Sequence, residues 1–409
     1  MLHDMNRRTF IQHVGLGAAA SALGGRVLPA RGNDASSAVR KPYTGPNVII
    51  VRFGGGVRRR ETIDADHTYS PYMTKVLARR ATLFNAMEID QFKNTTDEKE
   101  KQIDTSHGQG TLHILCGKYD SFINRSRGAI GEDFEPTVPT LFEYLRQAYD
   151  VPEHQTLIIN NENRAQEEFF TASNHHMFGI DYRAGMLSLY RYKRWLFEKQ
   201  IDEGALKGDA LKQKRNELEQ LKNVDTARGQ TLHQGPEIVA FWQRWRRHYG
   251  DSGLVNPRGD RLLTELAVRA IRELRPKLMM INYTDPDYVH WGNLTHYTRG
   301  IAVIDQGIEQ LVNTVENDEA YRDNTVFVIV PDCGRDNNRL VAVPCQHDFN
   351  SHEARRIFAM IHGPGVAGIE RGVVVDKRVE QIQVASTVGR IMGFEAEFAE
   401  RAVLQEAVA

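Results

Sequence analysis

The stretch "KLMMINYTDPDYVHWGN", residues 277–293, places two aspartates and a histidine directly behind a short apolar run. The apolar run has the length and composition of a buried β-strand. Beyond the polar turn, residues 297–315 carry apolar side chains at helical spacing. A strand, a polar turn and a helix in this order form the repeating unit of an α/β protein.

The same unit recurs along the chain. Further strand-like runs lie at "NVIIVRF" (47–53), "TLIIN" (156–160), "TVFVIV" (325–330) and "RIFAMIH" (356–362). Helix-like segments lie at 137–149 and 260–275. This alternation favours parallel strands linked through helices. We therefore predict an α/β fold with a doubly wound, mostly parallel sheet and helices on both faces.

Residues 186–250 interrupt the alternation. They are charged and helical in pattern, without a strand-like run, and Leu211, Leu218 and Leu221 share one stripe. Such an insert either covers and shapes a site or forms a solvated surface bundle. We predict one α/β domain over residues 31–409 that carries this helical insert.

Residues 1–30 have the features of an export signal. Arg7 and Arg8 precede a short run rich in Ala and Gly, and "LPA" at 28–30 offers a cleavage region. The pattern resembles a twin-arginine signal peptide, with a mitochondrial presequence or an ordinary basic start as alternatives. We expect the export machinery to carry the precursor to the periplasm or beyond. No later segment predicts stable insertion into a membrane.

Charge and cysteine content exclude two classes of function. The chain has 409 residues and a formal net charge of -1, which argues against a general nucleic-acid binder. The three cysteines, Cys116, Cys333 and Cys345, show no CxxC spacing, so a structural zinc knot is not expected. An exported protein with three cysteines holds at most one disulfide and leaves one free thiol.

Polar side chains cluster behind the predicted strands, where a doubly wound sheet binds its ligands. The clustered acids and histidines are Asp285, Asp287, His290, Asp332, His347, Asp348 and His352. Clustered carboxylates repel one another unless a cation balances them. Asp and His together suit zinc or another divalent transition ion. Alternatively, the histidines cap turns and pair with neighbouring acids.

Four segments carry a resemblance to a known family. They are "DYVHWGNLTHYTRGIAVIDQGIEQL", "NTVFVIVPDCGRD", "QHDFNSHEARRIFAMIHGPGV" and "VEQIQVASTVGRIMGF". In this order they resemble the metal-binding and closing motifs of the alkaline phosphatase superfamily, which includes sulfatases, phosphodiesterases and cofactor-independent phosphoglycerate mutases. The resemblance spans residues 45–395 and implies a fixed acid at Asp305. "FGGG" with "TSHGQGTLHILCG" is most similar to a twin-arginine-exported branch of uncharacterised function.

The resemblance also implies metal ligands. Asp287 or Asp285 would bind one ion together with His290 and His347, and Asp332 would bind a second ion. The ion would be zinc, with manganese or calcium as alternatives. The sequence departs from the family pattern at the end of the first strand, where "GGG" replaces a metal-binding Asp. Because of that departure, the number of bound ions could be one or two.

Two further departures concern individual ligands. The family's Asp-His-Gly motif has Cys333 in place of its histidine. That cysteine is either a zinc ligand or a small packing residue. The spacing from Asp287 or Asp285 to His290 is three or five residues, where phosphatase-like members show four.

The resemblance places the nucleophile about ten residues before Gly117, which leads to His107 and its neighbours Ser106 and Thr105. Either hydroxyl could attack phosphorus once activated, and His107 could be a metal ligand or the attacking group. The sulfatase signature, Cys or Ser followed two residues later by Pro and then by Arg, is absent from the sequence. A formylglycine sulfatase is therefore disfavoured.

Three consecutive arginines, Arg58, Arg59 and Arg60, follow the glycine-rich turn. Arginine clamps phosphate and sulfate oxygens bidentately, so we expect these residues and His352 to bind substrate. A solvated basic turn is the alternative.

These features together predict an exported, metal-dependent hydrolase of phosphate or sulfate esters. Its substrate would be a small molecule or a glycan that carries an anionic ester. The alternative is a non-catalytic protein that binds an anion or a glycan on a degenerate phosphatase or sulfatase scaffold.

Overall fold

The computed structural model describes nine ranges of the chain. These are residues 40–90, 105–125, 133–161, 164–222, 234–251, 259–291, 293–337, 345–347 and 351–408. All of them belong to one compact unit, Arg40–Ala409. The predicted signal peptide lies outside the described residues. Within the described ranges, no helix combines the length and the apolar character needed to cross a membrane.

The strands fall at the positions where short apolar runs occur in the sequence. The strands of the described residues are β1 Asn47–Phe53, β2 Thr82–Glu88, β3 Phe122–Asn124, β4 Phe134–Pro136, β5 Thr156–Asn160, β6 Gly185–Ser188, β7 Leu278–Asn282, β8 Thr325–Pro331, β9 Arg356–His362, β10 Val373–Val375 and β11 Val379–Glu380. All five strands predicted from apolar runs are therefore confirmed.

Helices separate most of these strands. The α-helices of the described residues are α1 Arg59–Thr62, α2 Pro71–Lys75, α3 His107–Cys116, α4 Leu141–Ala148, α5 Arg164–Thr171, α6 Leu189–Asp202, α7 Gly208–Lys222, α8 Pro236–Tyr249, α9 Asp260–Leu274, α10 Leu294–Glu316, α11 His352–Arg355 and α12 Gln383–Met392. The predicted helices correspond to α4, α9 and α10.

Nine of the described strands form one sheet in the order β10-β2-β9-β8-β1-β7-β5-β6, with β11 beside β2. Strand β9 runs antiparallel to its neighbours β2 and β8, and the other pairs are parallel. The predicted α/β fold with a mostly parallel sheet is confirmed. Strand β2 was not predicted, because Asn85 interrupts its apolar run and the pairing with β9 shifts between Phe84 and Met87.

Both faces of the sheet are covered. Successive side chains of a strand point to opposite faces, and β1 follows this rule. Val48 and Ile50 belong to the apolar cluster that includes residues of α3, α4 and α12. Ile49 and Val51 belong to the cluster that includes residues of α8, α9 and α10. The expectation of helices on both faces is therefore confirmed.

The region 186–250 is helical, but it is not free of strands. Its first residues, Met186 to Ser188, belong to strand β6, which pairs in parallel with β5 at the sheet edge. The run Gly185–Ser188 is too short to stand out in the sequence. Helices α6, α7 and α8 follow, and residues 223–233 lie outside the described ranges. Leu218 and Leu221 of α7 are buried in a small cluster with residues of α6.

The register of the central strands aligns their polar carboxyl ends. Arg52 of β1 is paired with Asn282 of β7, which in turn is paired with Asn160 of β5. Strand β8 ends beside β1, where Phe53 is paired with Pro331. Segments that follow these strands therefore meet at one edge of the sheet, where doubly wound folds bind ligands.

Candidate metal centre and active site

Four segments bring polar side chains together at the carboxyl edge of the sheet. Helix α3 begins at His107. The turn behind β7 carries Asp287 and His290. Asp332 directly follows β8, and His347 lies in the segment before α11. Because β7, β1 and β8 are adjacent in the sheet, the residues behind β7 and β8 come close despite their separation in sequence.

Three imidazoles converge on one carboxylate oxygen, Oδ1 of Asp287. This oxygen lies 3.0 Å from His107 Nε2 and 3.0 Å from His290 Nε2. His347 Nε2 lies 3.8 Å from the same oxygen and 2.9 Å from His290 Nε2. The ligand atoms of these four residues all lie within 4.8 Å of one another. One oxygen and three nitrogens therefore surround a common point.

This arrangement fits a divalent metal ion. Donor atoms about 2.0–2.2 Å from a tetrahedral zinc ion lie roughly 3.3–3.6 Å apart. Four of the separations, from 2.9 to 3.8 Å, bracket that spacing, and all of them lie within 4.8 Å. Imidazole with carboxylate is a ligand set that zinc favours, whereas calcium prefers oxygen ligands alone. His107, Asp287, His290 and His347 are thus the residues that could hold one ion.

The ring of His347 is oriented by a hydrogen bond on its far side. Its Nδ1 lies 2.8 Å from the carbonyl oxygen of Thr105. A carbonyl oxygen only accepts, so Nδ1 carries the proton and Nε2 offers a lone pair to the cluster. Such a far-side partner is usual for histidines that bind metal. The Thr105 hydroxyl donates to the His347 carbonyl, which ties the two segments together twice.

His107 is held in the same manner by Asp332. The His107 Nδ1 atom lies 2.7 Å from Asp332 Oδ2, so the opposite ring nitrogen faces Asp287. Burial alone would lower the pKa of His107, but the charges of Asp332 and Asp287 outweigh it and raise this pKa well above the usual value. His107 in the metal-free protein therefore carries both ring protons near neutral pH.

Arg335 contacts the same Asp287 oxygen that faces the histidines, and its Nη1 lies 3.5 Å from His290 Nε2. It is fully buried, and its Nη2 donates to Asp287 Oδ1. Its Nη1 donates to the carbonyl of Cys345 at 2.6 Å, and its Nε donates to carbonyls of the glycine-rich turn behind β1. Burial alone would raise the pKa of Asp287, but His107, His290 and Arg335 together lower this pKa far below its usual value. Asp287 is therefore a carboxylate.

Asp332 is paired with a second buried arginine. The Arg52 Nη2 atom lies 2.7 Å from Asp332 Oδ2, and both side chains are fully buried. Burial alone would raise the pKa of Asp332, but His107 and Arg52 outweigh it and hold this pKa far below the usual range. In the structure, Asp332 stands behind His107 as a charged hydrogen-bond acceptor, where the sequence predicted a ligand of a second ion.

The cysteines do not form disulfides. Cys116, Cys333 and Cys345 are all buried free thiols. Cys333 Sγ lies 3.9 Å from His107 Nδ1. Burial, followed by the charge of Asp332, raises the pKa of Cys333 to about 12. A thiol that keeps its proton is a poor zinc ligand, which favours the interpretation of Cys333 as a small packing residue.

Asp285, the alternative to Asp287, does not join the cluster. Its Oδ1 accepts a hydrogen bond from the backbone nitrogen of Asp260 at 3.3 Å, at the start of helix α9. The carboxylate of Asp260 in turn accepts hydrogen bonds from the backbone nitrogens of Thr284 and Asp285. The two acids thus tie the turn behind β7 to α9, and Asp287 is the member of the pair that faces the histidines.

The hydroxyls predicted to act as nucleophiles are engaged elsewhere. Ser106 is the N-cap of helix α3, and its Oγ accepts from the backbone nitrogen of Gln109. The Thr105 hydroxyl donates to the His347 carbonyl. Both residues are buried. Of the three predicted catalytic residues, His107 is the one whose side chain belongs to the cluster.

The predicted substrate-binding arginines line a cavity of about 800 Å³. Arg58 forms a bidentate ion pair with Glu61, at 2.6 and 2.7 Å. Arg59 donates to the carbonyl of Asn85 at 2.6 Å, and Arg60 also faces the cavity. Glu61 therefore neutralises the charge of Arg58, and the hydrogen bond to Asn85 fixes the side chain of Arg59.

Two other predicted residues lie elsewhere. His352 is exposed and pairs with Glu353, a residue that lines the same cavity as the arginines. Its side chain does not belong to the groups of convergent ligand atoms found among the described residues. Asp348 lies outside the described residues.

Two residues of the site, Arg52 and Arg335, were not predicted. Arg52 is the only charged residue in the run "NVIIVRF", and a charge inside a buried strand is rarely tolerated unless it is paired. The charge of Arg52 within a strand-like run was therefore the sequence feature that could have identified it as part of the site. Arg335 follows the Asp-Cys-Gly motif in a polar loop, and nothing in the sequence distinguishes it from a solvated residue.

No protein-family model and no curated protein matches the sequence. Among solved structures, a mutant of the alkaline phosphatase PafA superimposes with a TM-score of 0.52 at 9% identity, covering 90% of this chain and 99% of that chain. A 2-O GAG sulfatase superimposes with a TM-score of 0.50 at 11% identity, covering 88% and 73% of the two chains.

A protein of the alkaline phosphatase superfamily from Vibrio parahaemolyticus gives a TM-score of 0.46 at 11% identity, covering 88% of this chain and 70% of that chain. A TM-score of 0.46 does not by itself show a shared fold. The phosphatase and the sulfatase are so distant in sequence that their similarity to this chain shows a shared fold and no more. The chain has the fold of the alkaline phosphatase superfamily, which confirms the resemblance predicted from its motifs at the level of the fold.

Proposed function

We propose that this protein is a metal-dependent hydrolase of phosphate or sulfate esters. The observation that carries the proposal is the convergence of three imidazole nitrogens and the Asp287 carboxylate on one point at the carboxyl edge of the sheet. The two similar structures are, by their names, a phosphatase and a sulfatase. Both act on esters of an anionic group, which suits a site with a cation and nearby arginines.

Asp287, His290 and His347 would hold the ion, and His107 faces it from the start of helix α3. A divalent ion in such a site supplies Lewis acidity and lowers the pKa of bound water. Asp332 keeps a proton on His107 Nδ1, which leaves Nε2 to bind the ion or to act on the substrate. The N-terminal end of α3 favours negative charge beside the same imidazole.

The arginine-lined cavity would hold the remainder of an anionic substrate. Arg58, Arg59 and Arg60 all line this cavity, and Arg60 is exposed. Acidic residues such as Glu61 pair with arginines of this turn, so the turn attracts an anionic substrate only moderately. A small molecule or a glycan with an anionic ester fits this combination. Export to the periplasm or beyond, guided by residues 1–30, is part of the same proposal.

The alternative is a non-catalytic protein that binds an anion or a glycan. One observation favours it: Arg335 and Arg52 already balance the charges of Asp287 and Asp332. The cluster can therefore persist without an ion, because protonated histidines can hold it together through hydrogen bonds. A folded protein that binds sulfated or phosphorylated ligands without metal and without turnover would support this alternative.

The test measures metal content and hydrolysis on the same purified protein. Aryl phosphate, phosphodiester and aryl sulfate substrates are assayed before chelation, after chelation and after zinc is restored. Hydrolysis that requires zinc supports the proposal. His290→Ala should abolish zinc binding and lower the rate by about 10³-fold or more, because several kcal/mol of charge stabilisation disappear.

His296→Ala is the matched control, since His296 is an exposed histidine six residues away on helix α10. It should leave zinc binding and hydrolysis unchanged. Protein that stays folded but takes up no zinc, manganese or other divalent ion would overturn the proposal.

A further inference from the structure

We propose that the guanidinium of Arg52 occupies the place of a second metal ion, so that the centre holds a single ion, and that Arg52 positions His107 through Asp332. This inference rests on the proposed function and deepens it. It concerns His107, Asp332 and Cys333, which form the second group of convergent ligand atoms among the described residues.

The end of strand β1 leaves no space for a side chain at Gly54. A Cβ atom on Gly54 would lie 1.9 Å from the carbonyl oxygen of Tyr283 and 2.9 Å from Arg52 Nη2. No side chain, and hence no carboxylate ligand, can stand at this position without moving the backbone of the neighbouring segment. The guanidinium of Arg52 occupies the adjoining space and is fully buried there.

Both carboxylate oxygens of Asp332 already accept hydrogen bonds. Its Oδ2 accepts from Arg52 Nη2 at 2.7 Å and faces His107 Nδ1 at 2.7 Å. Its Oδ1 accepts from the backbone nitrogens of Gly56 at 3.1 Å and Cys333 at 2.8 Å. A carboxylate offers about four lone-pair sites, and these donors use them. A second ion would have to displace a buried arginine from its ion pair.

Cys333 is the remaining candidate ligand of this group. Cys333 is buried, and its thiol faces the same His107 nitrogen that Asp332 already holds. His107 Nδ1 cannot donate to Asp332 and bind an ion at the same time. This group therefore lacks a free nitrogen and a free carboxylate oxygen, and the positive charge that it requires comes from Arg52.

The arrangement gives Arg52 a positioning role. Its Nη2 holds Asp332 Oδ2 in place at 2.7 Å, and the same oxygen faces His107 Nδ1 at 2.7 Å and so fixes the proton on that nitrogen. The other ring nitrogen then faces Asp287, His290 and His347. Arg52 acts through two other residues and, being fully buried, does not touch the substrate. Changing it should alter the main metal site without removing any of its ligands.

The first experiment counts ions in the unmodified chain, so it does not depend on a variant that folds. The protein is loaded with excess zinc, desalted and measured by native mass spectrometry and elemental analysis. One ion per chain is expected. Two ions per chain would overturn this inference and leave the proposed function standing, whereas a chain without any ion would overturn both.

The second experiment compares Arg52→Met with Arg191→Met. Arg191 forms a buried ion pair with Glu167 at 3.2 Å, so its loss matches the cost of breaking a buried pair away from the cluster. Arg52→Met should weaken zinc binding by about 10–100-fold, the usual effect of losing an outer partner of a metal-binding histidine. Arg191→Met should leave zinc affinity unchanged.

The position of the proton on the His107 ring distinguishes a positioning role of Arg52 from a purely structural one. A purely structural role would leave that proton where it is. Nitrogen NMR of labelled histidine should place it on Nδ1 in the zinc-loaded protein and in Arg191→Met, and should show a mixed or shifted signal in Arg52→Met. Arg52→Lys, which retains a charge, should fall between the two. Zinc affinity and a His107 signal that are both unchanged in Arg52→Met would overturn the positioning role.

Discussion

His290 Nε2 lies 2.9 Å from His347 Nε2, so two ring nitrogens of the cluster are within hydrogen-bond distance of each other. The His347 ring carries its proton on Nδ1, where it donates to the Thr105 carbonyl, so its Nε2 presents a lone pair. Two lone pairs cannot face each other at this distance. Either a proton on His290 lies between them, as in the metal-free protein, or a cation does.

Zinc binding should become tighter as the pH rises. Asp332 and Asp287 outweigh the effect of burial and raise the pKa of His107 well above its usual value. An ion at Nε2 must therefore displace a proton that is still bound at neutral pH. Below this pKa, the apparent affinity should rise by about tenfold per pH unit, and calorimetry in several buffers should detect proton release. An affinity independent of pH would contradict this account of His107.

The buried pair of Arg52 and Asp332 should show strong coupling in unfolding experiments. Arg52→Met and Asp332→Leu should each lower the free energy of unfolding by about 3–5 kcal/mol, because each removes the partner of a buried charge. The double variant should lose much less than the sum, since both charges of the pair are gone. Urea denaturation of the four proteins measures this coupling. Additive losses would mean that the two charges do not depend on each other.

Helix α3 should not tolerate a side chain at Gly110, where the helix passes Asp332. A Cβ atom on Gly110 would lie 2.1 Å from the Asp332 carbonyl oxygen. Gly110→Ala should therefore push the helix away and displace His107, at a cost of about 1–3 kcal/mol in stability and with weaker zinc binding. Thermal unfolding and zinc titration check both effects.

The matched control is Gly235→Ala, where the nearest atom to a new Cβ is Glu237 Oε2 at 3.7 Å. It should be close to neutral in both measurements. A Gly110→Ala protein with wild-type stability and zinc affinity would show that α3 is not fixed against Asp332.

Asp305 on helix α10 should make stability depend on pH. Its carboxylate accepts from the backbone nitrogens of Tyr72 and Met73 at the start of α2, each at 2.9 Å. Burial raises the pKa of Asp305 to about 6 from a usual value of 3.8. A raised folded-state pKa means that the contribution to stability is present below pH 3.8 and is lost as the pH rises through about 6.

Asp305→Asn removes this titration while it retains an acceptor. The wild-type protein should therefore lose up to about 2–3 kcal/mol relative to Asp305→Asn over this pH range. Urea unfolding of both proteins at several pH values measures the difference. A constant difference would show that Asp305 does not titrate in the folded protein.

Strong local patterns made the centre of the fold predictable. The strands at 47–53, 156–160 and 356–362 were predicted at their observed boundaries. Each contains at least three consecutive apolar residues, as expected for strands buried on both faces. Strand β2 was missed because Asn85 breaks its run, and β6 because four residues are too few to give a pattern. Such short or interrupted strands take their structure from pairing partners elsewhere in the sequence.

The candidate metal ligands were partly predictable for a related reason. Parallel strands end at one edge, so Asp287, His290 and His347 could be grouped from their positions alone. The sequence could not show that Arg52 would pair with Asp332, a residue 280 positions further along the chain. It also could not choose between Asp285 and Asp287, because that choice depends on which of them reaches the start of helix α9.

Anomalous diffraction at the zinc absorption edge, from crystals grown with zinc, would locate a divalent ion between Asp287, His290 and His347. We expect a single peak about 2.0–2.2 Å from both histidine Nε2 atoms and from an Asp287 carboxylate oxygen. Crystals without a peak there, while His290 and His347 keep their contact, would contradict this expectation.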